Sequence, residues 1–391
     1  MNDPVLMLST NLIKKDLSSN IYAESCVALH SLAQIVSHDL ARDLTKGKVV
    51  FLNKDVMGML KHSSPGIRKR SILVLFRMFV KYPESLQQAF PLVKDKLDDP
   101  DPSVVLAAIN VIVELGIRHP KSYLFLAPTF FNLLKSDHSV WIRIKIAKLF
   151  TSFMIIEPRL IKKLIYTISN IIQNTNAVSL LVECVKMVIH GGLMVSKDTT
   201  KQTTDDLVEI VLKKLKMLLL AEDFNLNVIG LEILTDLLEV RPDVAFNFTE
   251  TVTKSLESGD LDVRSHALGL IPKMVIHENF LDLLQKLMSH ILLSSEDLGP
   301  VSKEESDNYR SKVASCMIEI ITKDTYEYVN GNVICMMLDF EWIIEILFDL
   351  SKVPGLWLGS KLSDLIIDIN LRVPDVREFT VSQIVNIYLN A

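Results

Sequence analysis

One recurring pattern constrains this chain's fold more than any other feature: a polar turn carrying Ser, Asp or Pro leads into a β-branched residue and then an apolar stretch of helical length. It is visible in SSPGIRKRSILVLFRMF, DDPDPSVVLAAINVIVEL, SDHSVWIRIKIAKLF and SGDLDVRSHALGLIPKMV. Anchored on Ile21, Ile67, Val104, Val140, Val178, Val228 and Val263, the copies lie 46, 37, 36, 38, 50 and 35 residues apart. Self-similarity at that period is the mark of two-helix repeats of the HEAT or armadillo kind, in which each unit buries its apolar face against its neighbours. A chain of 391 residues exceeds what a single core usually supports, and a repeat array removes the difficulty without separate domains.

The helical reading is clearest over residues 103–118. There the polar positions Ser103, Asn110, Glu114 and Arg118 form one narrow stripe and everything else is apolar or small, as expected of a helix sandwiched between neighbours. Asp101 is placed to cap this helix with Pro102 at its first position. Pro83, Pro120, Pro158, Pro242 and Pro374 also stand where new helices would begin, whereas Pro272 falls inside an apolar pattern and should kink or shorten its helix. The longest gap contains GGLMVSKDTTKQTTDD, which reads as a loop inserted near 191–206 within an array spanning 1–391. The expected fold class is therefore all-α, a HEAT/armadillo-like helical-repeat solenoid.

Composition narrows the function. Hydrophobic residues make up 49% of the chain, yet no uninterrupted apolar run approaches the ~18 residues a membrane span requires. The net charge is −5, which gives no global attraction to nucleic acid or anionic lipid. Cys26, Cys184, Cys316 and Cys335 are far apart and unpaired in spacing, as buried thiols of a reducing compartment are. The opening MNDPVLMLST has an acidic residue and a proline where a signal peptide needs a basic and then an apolar region, so no export is expected. The sequon at Asn247 would then be a chance match.

No nucleotide-binding, metalloprotease or serine-hydrolase signature is present, and no Cys/His spacing suits a metal. No catalytic residue, metal or cofactor is therefore assigned. His62, His138 and His266 lie near repeat turns, where solvation or turn bonding accounts for them. Asp98, Asp99 and Asp101 fit helix capping better than acid–base chemistry. Basic residues recur in short clusters, Lys14-Lys15, Arg68-Lys69-Arg70, Lys162-Lys163 and Lys213-Lys214. Two readings stay open for them: contacts to phospholipid headgroups or an acidic partner, or merely a solvated helix face. Trp141, Trp342 and Trp357 are not interleaved with these clusters and are expected in the core, not as base-stacking platforms.

In order along the chain, LSTNLIKKDL, SHDLARDL, IRKRSILVLFRMFVKYPESLQQAFPLVKDKLDDPDPSV, LAPTFFNLLKS, EPRLIKKL, SLLVECVKMVI, DFEWIIEIL and RVPDVREFTVSQI resemble the trunk of the delta-adaptins, the large subunits specific to adaptor protein complex 3. The resemblance covers nearly the whole chain in one register. It implies a non-enzymatic subunit of a vesicle coat adaptor, assembled with small sigma-type, medium mu-type and beta-type subunits and recruited by an Arf-family GTPase. It further implies a peripheral, cytoplasmic location on Golgi or endosomal membranes and sorting of signal-bearing cargo toward lysosome- or vacuole-type organelles. Relative to that family the chain lacks the opening helices, the end of the trunk, the hinge and the ear, so no cargo-binding residue carries over. Two apolar stretches, Lys46 to Asn53 and Gly331 to Leu338, look inserted. The competing reading is a karyopherin-like solenoid transport receptor.

Overall fold

The computed structural model describes residues 12–13, 15–19, 21–36, 56–136, 139–194, 201–275, 279–292, 302–330, 340–353 and 359–390. Both apolar stretches that look inserted lie outside the described residues, as do Lys14, His138, Cys335 and Trp357. Every extended element among the described residues is helical. The chain divides into two compact units, Met1–Ile210 and Val211–Ala391.

In the first unit the helices are α1 (Tyr22–Ile35), α2 (Pro65–Lys81), α3 (Leu86–Lys94), α4 (Pro102–Arg118), α5 (Ala127–Lys135), α6 (Val140–Ile156), α7 (Arg159–Asn174) and α8 (Val178–His190). A row is formed by α1, α2, α4, α6 and α8, each packed on the next, with α3, α5 and α7 as the second members of their pairs. Helix α9 (Lys201–Leu219) carries the boundary between the units. The second unit continues with α10 (Phe224–Val240), α11 (Thr249–Ser255), α12 (Leu261–Met274), α13 (Phe280–Leu292), α14 (Lys303–Asn330), α15 (Phe340–Lys352), α16 (Gly359–Arg372) and α17 (Arg377–Asn390). Here α10, α12, α14 and α16 form the row.

Row helices are buried on most of their circumference because both flanks and one side meet other helices. In α4 only the stripe anticipated above, Pro102, Leu106 and Ile117 escape full burial; Val104, Ala108, Ile109 and Ile112 are inaccessible. In α6, Phe150 and Phe153 meet edge to face at 6.2 Å within the core, a geometry aromatic quadrupoles favour. Gly116 of α4 sits where a Cβ would press on Leu149 of α6, so its lack of a side chain lets the two row helices close up.

Punctuation follows local chemistry. Asp101, Asp223 and Asp260 each accept a backbone N–H at the start of α4, α10 and α12, occupying a donor that the first helical turn would otherwise leave unpaired. Pro83, Pro242 and Pro374 open 3-10 turns, Pro120 opens a single helical turn, and Pro158 caps α7. Pro272 lies inside α12, which ends two residues later at Met274. Pro91, inside α3, is a second interior proline that the pattern does not reveal; α3 gives way to a 3-10 turn at Asp95. The inserted loop is shorter than 191–206, because a turn with Gly192 at φ +76° runs to Met194 and helix α9 already begins at Lys201. The polar KQTTDD segment from Lys201 forms the first turns of a helix, an outcome that polar composition alone does not forbid.

Two expectations need correction. Val140 is 37% exposed and Val178 half-buried, so the true repeat register sits two residues later, at Ile142 and Leu180, each almost wholly buried. Trp141 is 65% exposed on α6 and not a core residue, and Trp342 is only half-buried.

Candidate partner-binding surface

Corrected to the buried residue three places after the cap, several repeats share a further feature: the next residue is arginine. Ile67-Arg68, Ile142-Arg143 and Val263-Arg264 are the third and fourth residues of α2, α6 and α12, and Val376-Arg377 join a 3-10 turn to the first residue of α17. Each guanidinium folds back onto the turn or helix end before it. Arg68 Nη1 donates to the carbonyls of His62 (2.9 Å) and Ser63 (2.8 Å), and Arg143 Nη2 to Ser136 (3.0 Å). Arg264 Nε donates to the Ser258 carbonyl, and Arg377 Nε to that of Asn370 at 2.8 Å. A helix end leaves carbonyls without helical donors, and a cation there answers both the missing hydrogen bond and the dipole.

Arg68 does more. Its Nε and Nη2 grip Asp99 at 3.0 and 2.7 Å, and the two side chains are only 11% and 2% exposed. Burial by itself pushes the Asp99 carboxyl up, but hydrogen bonds from Arg68, the Asp101 backbone and Lys96, with the Arg68 charge, outweigh it and hold the group below the ordinary carboxylate range. Asp99 thus ties the turn before α4 to the start of α2, beyond any capping role. Arg68 must therefore be withdrawn from the candidate contact residues: its cation is consumed inside the protein.

The remaining basic residues divide by element. Lys15 is exposed ahead of α1, and Lys162 and Lys163 are exposed on α7. Lys213 is exposed and Lys214 half-buried on α9, in the part that belongs to the second unit. Lys69 and Arg70 stand in a concave setting. They line a groove of about 530 Å³ between α1 and α2 together with Arg77, which the sequence reading passed over because it stands alone in the chain. The signal was present at helical spacing, since 69, 73 and 77 fall on one side of a helix.

From α1 the groove receives Leu29, His30, Ala33 and Gln34, and from α2 also Leu73 and Val74. Leu73 is 41% exposed, a large aliphatic side chain between cations. Arg70 Nη1 donates to the Tyr22 hydroxyl at 3.2 Å, and a Cβ at Gly66 would collide with that hydroxyl. Glycine there lets the Tyr22 hydroxyl approach and hold Arg70. Among the described residues no carboxylate lines the groove and none pairs with Lys69, Arg70 or Arg77.

Chemistry of other kinds finds no foothold among the described residues. No group of His, Cys, Asp and Glu there could hold a metal ion, and no helix there is long and apolar enough to cross a membrane. Burial pushes the Cys184 and Cys316 thiols up to about 12, which leaves them protonated and unreactive. His62 Nδ1 accepts from the Ser64 N–H and the His266 ring bonds the Asp262 carbonyl, the turn-bonded roles expected of them.

Stacked helix pairs define the class: a helical-repeat protein. The family model for the adaptin N-terminal region matches residues 1–391, and the chain belongs to that family. It is 38% identical over 97% of its length to AP-3 complex subunit delta-1 of Bos taurus, and 37% over 96% to AP-3 complex subunit delta of Schizosaccharomyces pombe. Identity to AP-1 complex subunit gamma of Dictyostelium discoideum is 23% over 74%. A homology model of the full-length AP-3 complex in an intermediate open conformation aligns with all of this chain and 67% of its own, with a TM-score of 0.66 and 29% identity. The chain spans 29% and 42% of the length of the first two relatives.

Proposed function

We propose that this chain is trunk sequence of a delta-type large subunit of an AP-3 adaptor complex, working by stoichiometric binding and not by turnover. The observation that carries the reading is that delta subunits from animal, yeast and amoeba match 96–99% of the chain at 34–38% identity, while the gamma relative falls to 23%. Row helices whose buried faces are spent on one another leave side chains along their outer surface for partner proteins. In this reading sigma-type, mu-type and beta-type subunits are its partners and an Arf-family GTPase recruits the assembly. The location is peripheral, on Golgi or endosomal membranes, with cargo sorted toward lysosome- or vacuole-type organelles. Lys14, Lys15, Lys69, Arg70, Lys162, Lys163, Lys213 and Lys214 are the candidate contacts to an acidic partner or membrane surface, Lys14 lying outside the described residues.

Co-expression with a small sigma-type subunit, followed by gel filtration with light scattering, tests the reading. A stable one-to-one complex is expected. If neither this chain nor a longer trunk that includes it binds a sigma-type subunit, the adaptor reading fails and the transport-receptor alternative returns.

A further inference from the structure

The groove between α1 and α2 combines features that together specify an occupant. Its cations are strung along α2 and do not converge: Lys69 and Arg70 lie two helical turns from Arg77, roughly 12 Å at 1.5 Å per residue. Between them the floor is apolar, with Leu73 exposed and Leu29 and Val74 buried beneath. A lipid headgroup or free phosphate calls for donors aimed at one point, whereas a line of cations over an apolar strip complements a rod that carries carboxylates on its flanks and aliphatic side chains on one face. The charge sense is local: the chain as a whole is −5, yet among the described residues no acidic side chain lines this groove.

We propose that the α1/α2 groove is a docking site for an acidic amphipathic helical segment of a partner protein. Its leucine-type side chains would sit against Leu73 and Ala33, and its carboxylates would meet Lys69, Arg70 and Arg77. Arg70, held by the Tyr22 hydroxyl and the Gly66 carbonyl at 3.2 and 3.3 Å, presents its charge from a fixed position, which lowers the entropy lost on binding. The inference rests on the groove alone and does not depend on which complex the chain enters, so sigma-subunit binding and groove binding are separate readouts.

The probe is a fluorescein-labelled peptide of about 14 residues, long enough for four helical turns, with leucines at i, i+3, i+4 and i+7 and glutamates between. Binding to the purified chain is read by fluorescence anisotropy. Arg70→Glu with Arg77→Glu should weaken it by about tenfold or more, a step of ~1.4 kcal/mol, and Leu73→Ser should weaken it with unchanged salt dependence. Lys121→Glu with Lys361→Glu, both exposed and outside the groove, should leave it unchanged. A glutamine-for-glutamate peptide should bind at least about tenfold more weakly at low salt, with the difference narrowing as salt screens the exposed charges. Arg70→Gln with Arg77→Gln, checked by circular dichroism, guards against misfolding of the charge-reversed pair. Equal binding of the two peptides, or indifference to the groove variants, overturns the proposal. So does groove-dependent binding to vesicles containing phosphatidylserine when the peptide does not bind, since the groove would then serve a lipid surface.

Discussion

Replacing Arg68 by alanine should be among the most damaging single changes in the first unit, although Arg68 sits in a run of three basic residues that reads as surface. Four hydrogen bonds go at once: the fork onto Asp99 at 3.0 and 2.7 Å, and the two to the His62 and Ser63 carbonyls. Asp99, only 2% exposed, would keep the Lys96 ammonium at 3.3 Å and the Asp101 N–H at 3.1 Å. Stripping one partner from a buried pair costs about 3–5 kcal/mol, and the surviving lysine pulls the expectation to the lower end, about 3 kcal/mol. Lys69→Ala, one residue on and exposed, should stay within about 0.5 kcal/mol. Asp99→Asn with Arg68→Ala should cost less than the sum of the single changes by ~1–3 kcal/mol, the signature of direct coupling. The carboxyl is depressed in the folded protein, so its stabilisation is present above the unfolded aspartate value near 3.8 and is lost as pH falls through the folded value; the gap between wild type and Arg68→Ala should narrow in strong acid to what the His62 and Ser63 carbonyl bonds contribute. Urea unfolding followed by circular dichroism, with hydrogen exchange across α2 and α4 to localise the loss, measures all of this. A loss under about 1 kcal/mol, equal to that of Lys69→Ala, would refute the claim that Arg68 is structural.

Other expectations follow from single observations. His290 is buried, and desolvation, then Arg264 with a smaller push from Lys286, lowers its pKa against the weaker pull of Glu257. The unfolded chain therefore binds its proton first, so stability should fall as pH drops through about 6.5 and on to the lower folded value; His290→Gln should flatten that slope in urea midpoints between pH 7.5 and 5, and an unchanged slope would count against it. Asp260 Oδ1 accepts from both Asp262 and Val263 N–H groups at 2.9 and 3.1 Å, so Asp260→Ala should cost about 1 kcal/mol in thermal or urea unfolding. Phe153→Ala empties a fully buried site against Phe150 and should cost about 3–5 kcal/mol. Cys184 and Cys316 should resist a thiol reagent until the protein unfolds, as read by peptide mass mapping; rapid native labelling of either would contradict their burial.

The architecture was legible because burial imposes periodicity. A helix sandwiched in a row can be wet only on a stripe, and residues 103–118 display that stripe directly. Prolines and aspartates marked most helix starts for equally local reasons. What escaped were features that depend on a second element. The register at Val140 and Val178 was misjudged because a β-branched residue after a polar turn can stand at the first helical position as well as the third, and only the packing of Ile142 and Leu180 decides. Pro91 escaped because α3 is short enough to tolerate it near its end. The site was half legible: Lys69 and Arg70 were noticed as a cluster, but Arg77 joins them only through the helix, and α1 supplies the opposite wall.

Arg68, Lys69 and Arg70 show why composition cannot settle such a case. Successive helical residues point about 100° apart, so three adjacent cations cannot share one environment on a helix packed along one side. The side facing the preceding turn takes Arg68, where orphan carbonyls and Asp99 absorb its charge. The open side takes Lys69 and Arg70, where nothing among the described residues neutralises them. The repeat fixes which is which: arginine follows the buried residue three places past the cap in α2, α6 and α12, and in each it returns to a carbonyl of the preceding turn or helix end. Arg68 thus serves the fold, while the line of cations formed by Lys69, Arg70 and Arg77 is not continued on the neighbouring α4, where Leu106, Ala107 and Glu114 stand at the matching places. That asymmetry between neighbouring repeats is the reason to look for a partner in the α1/α2 groove first.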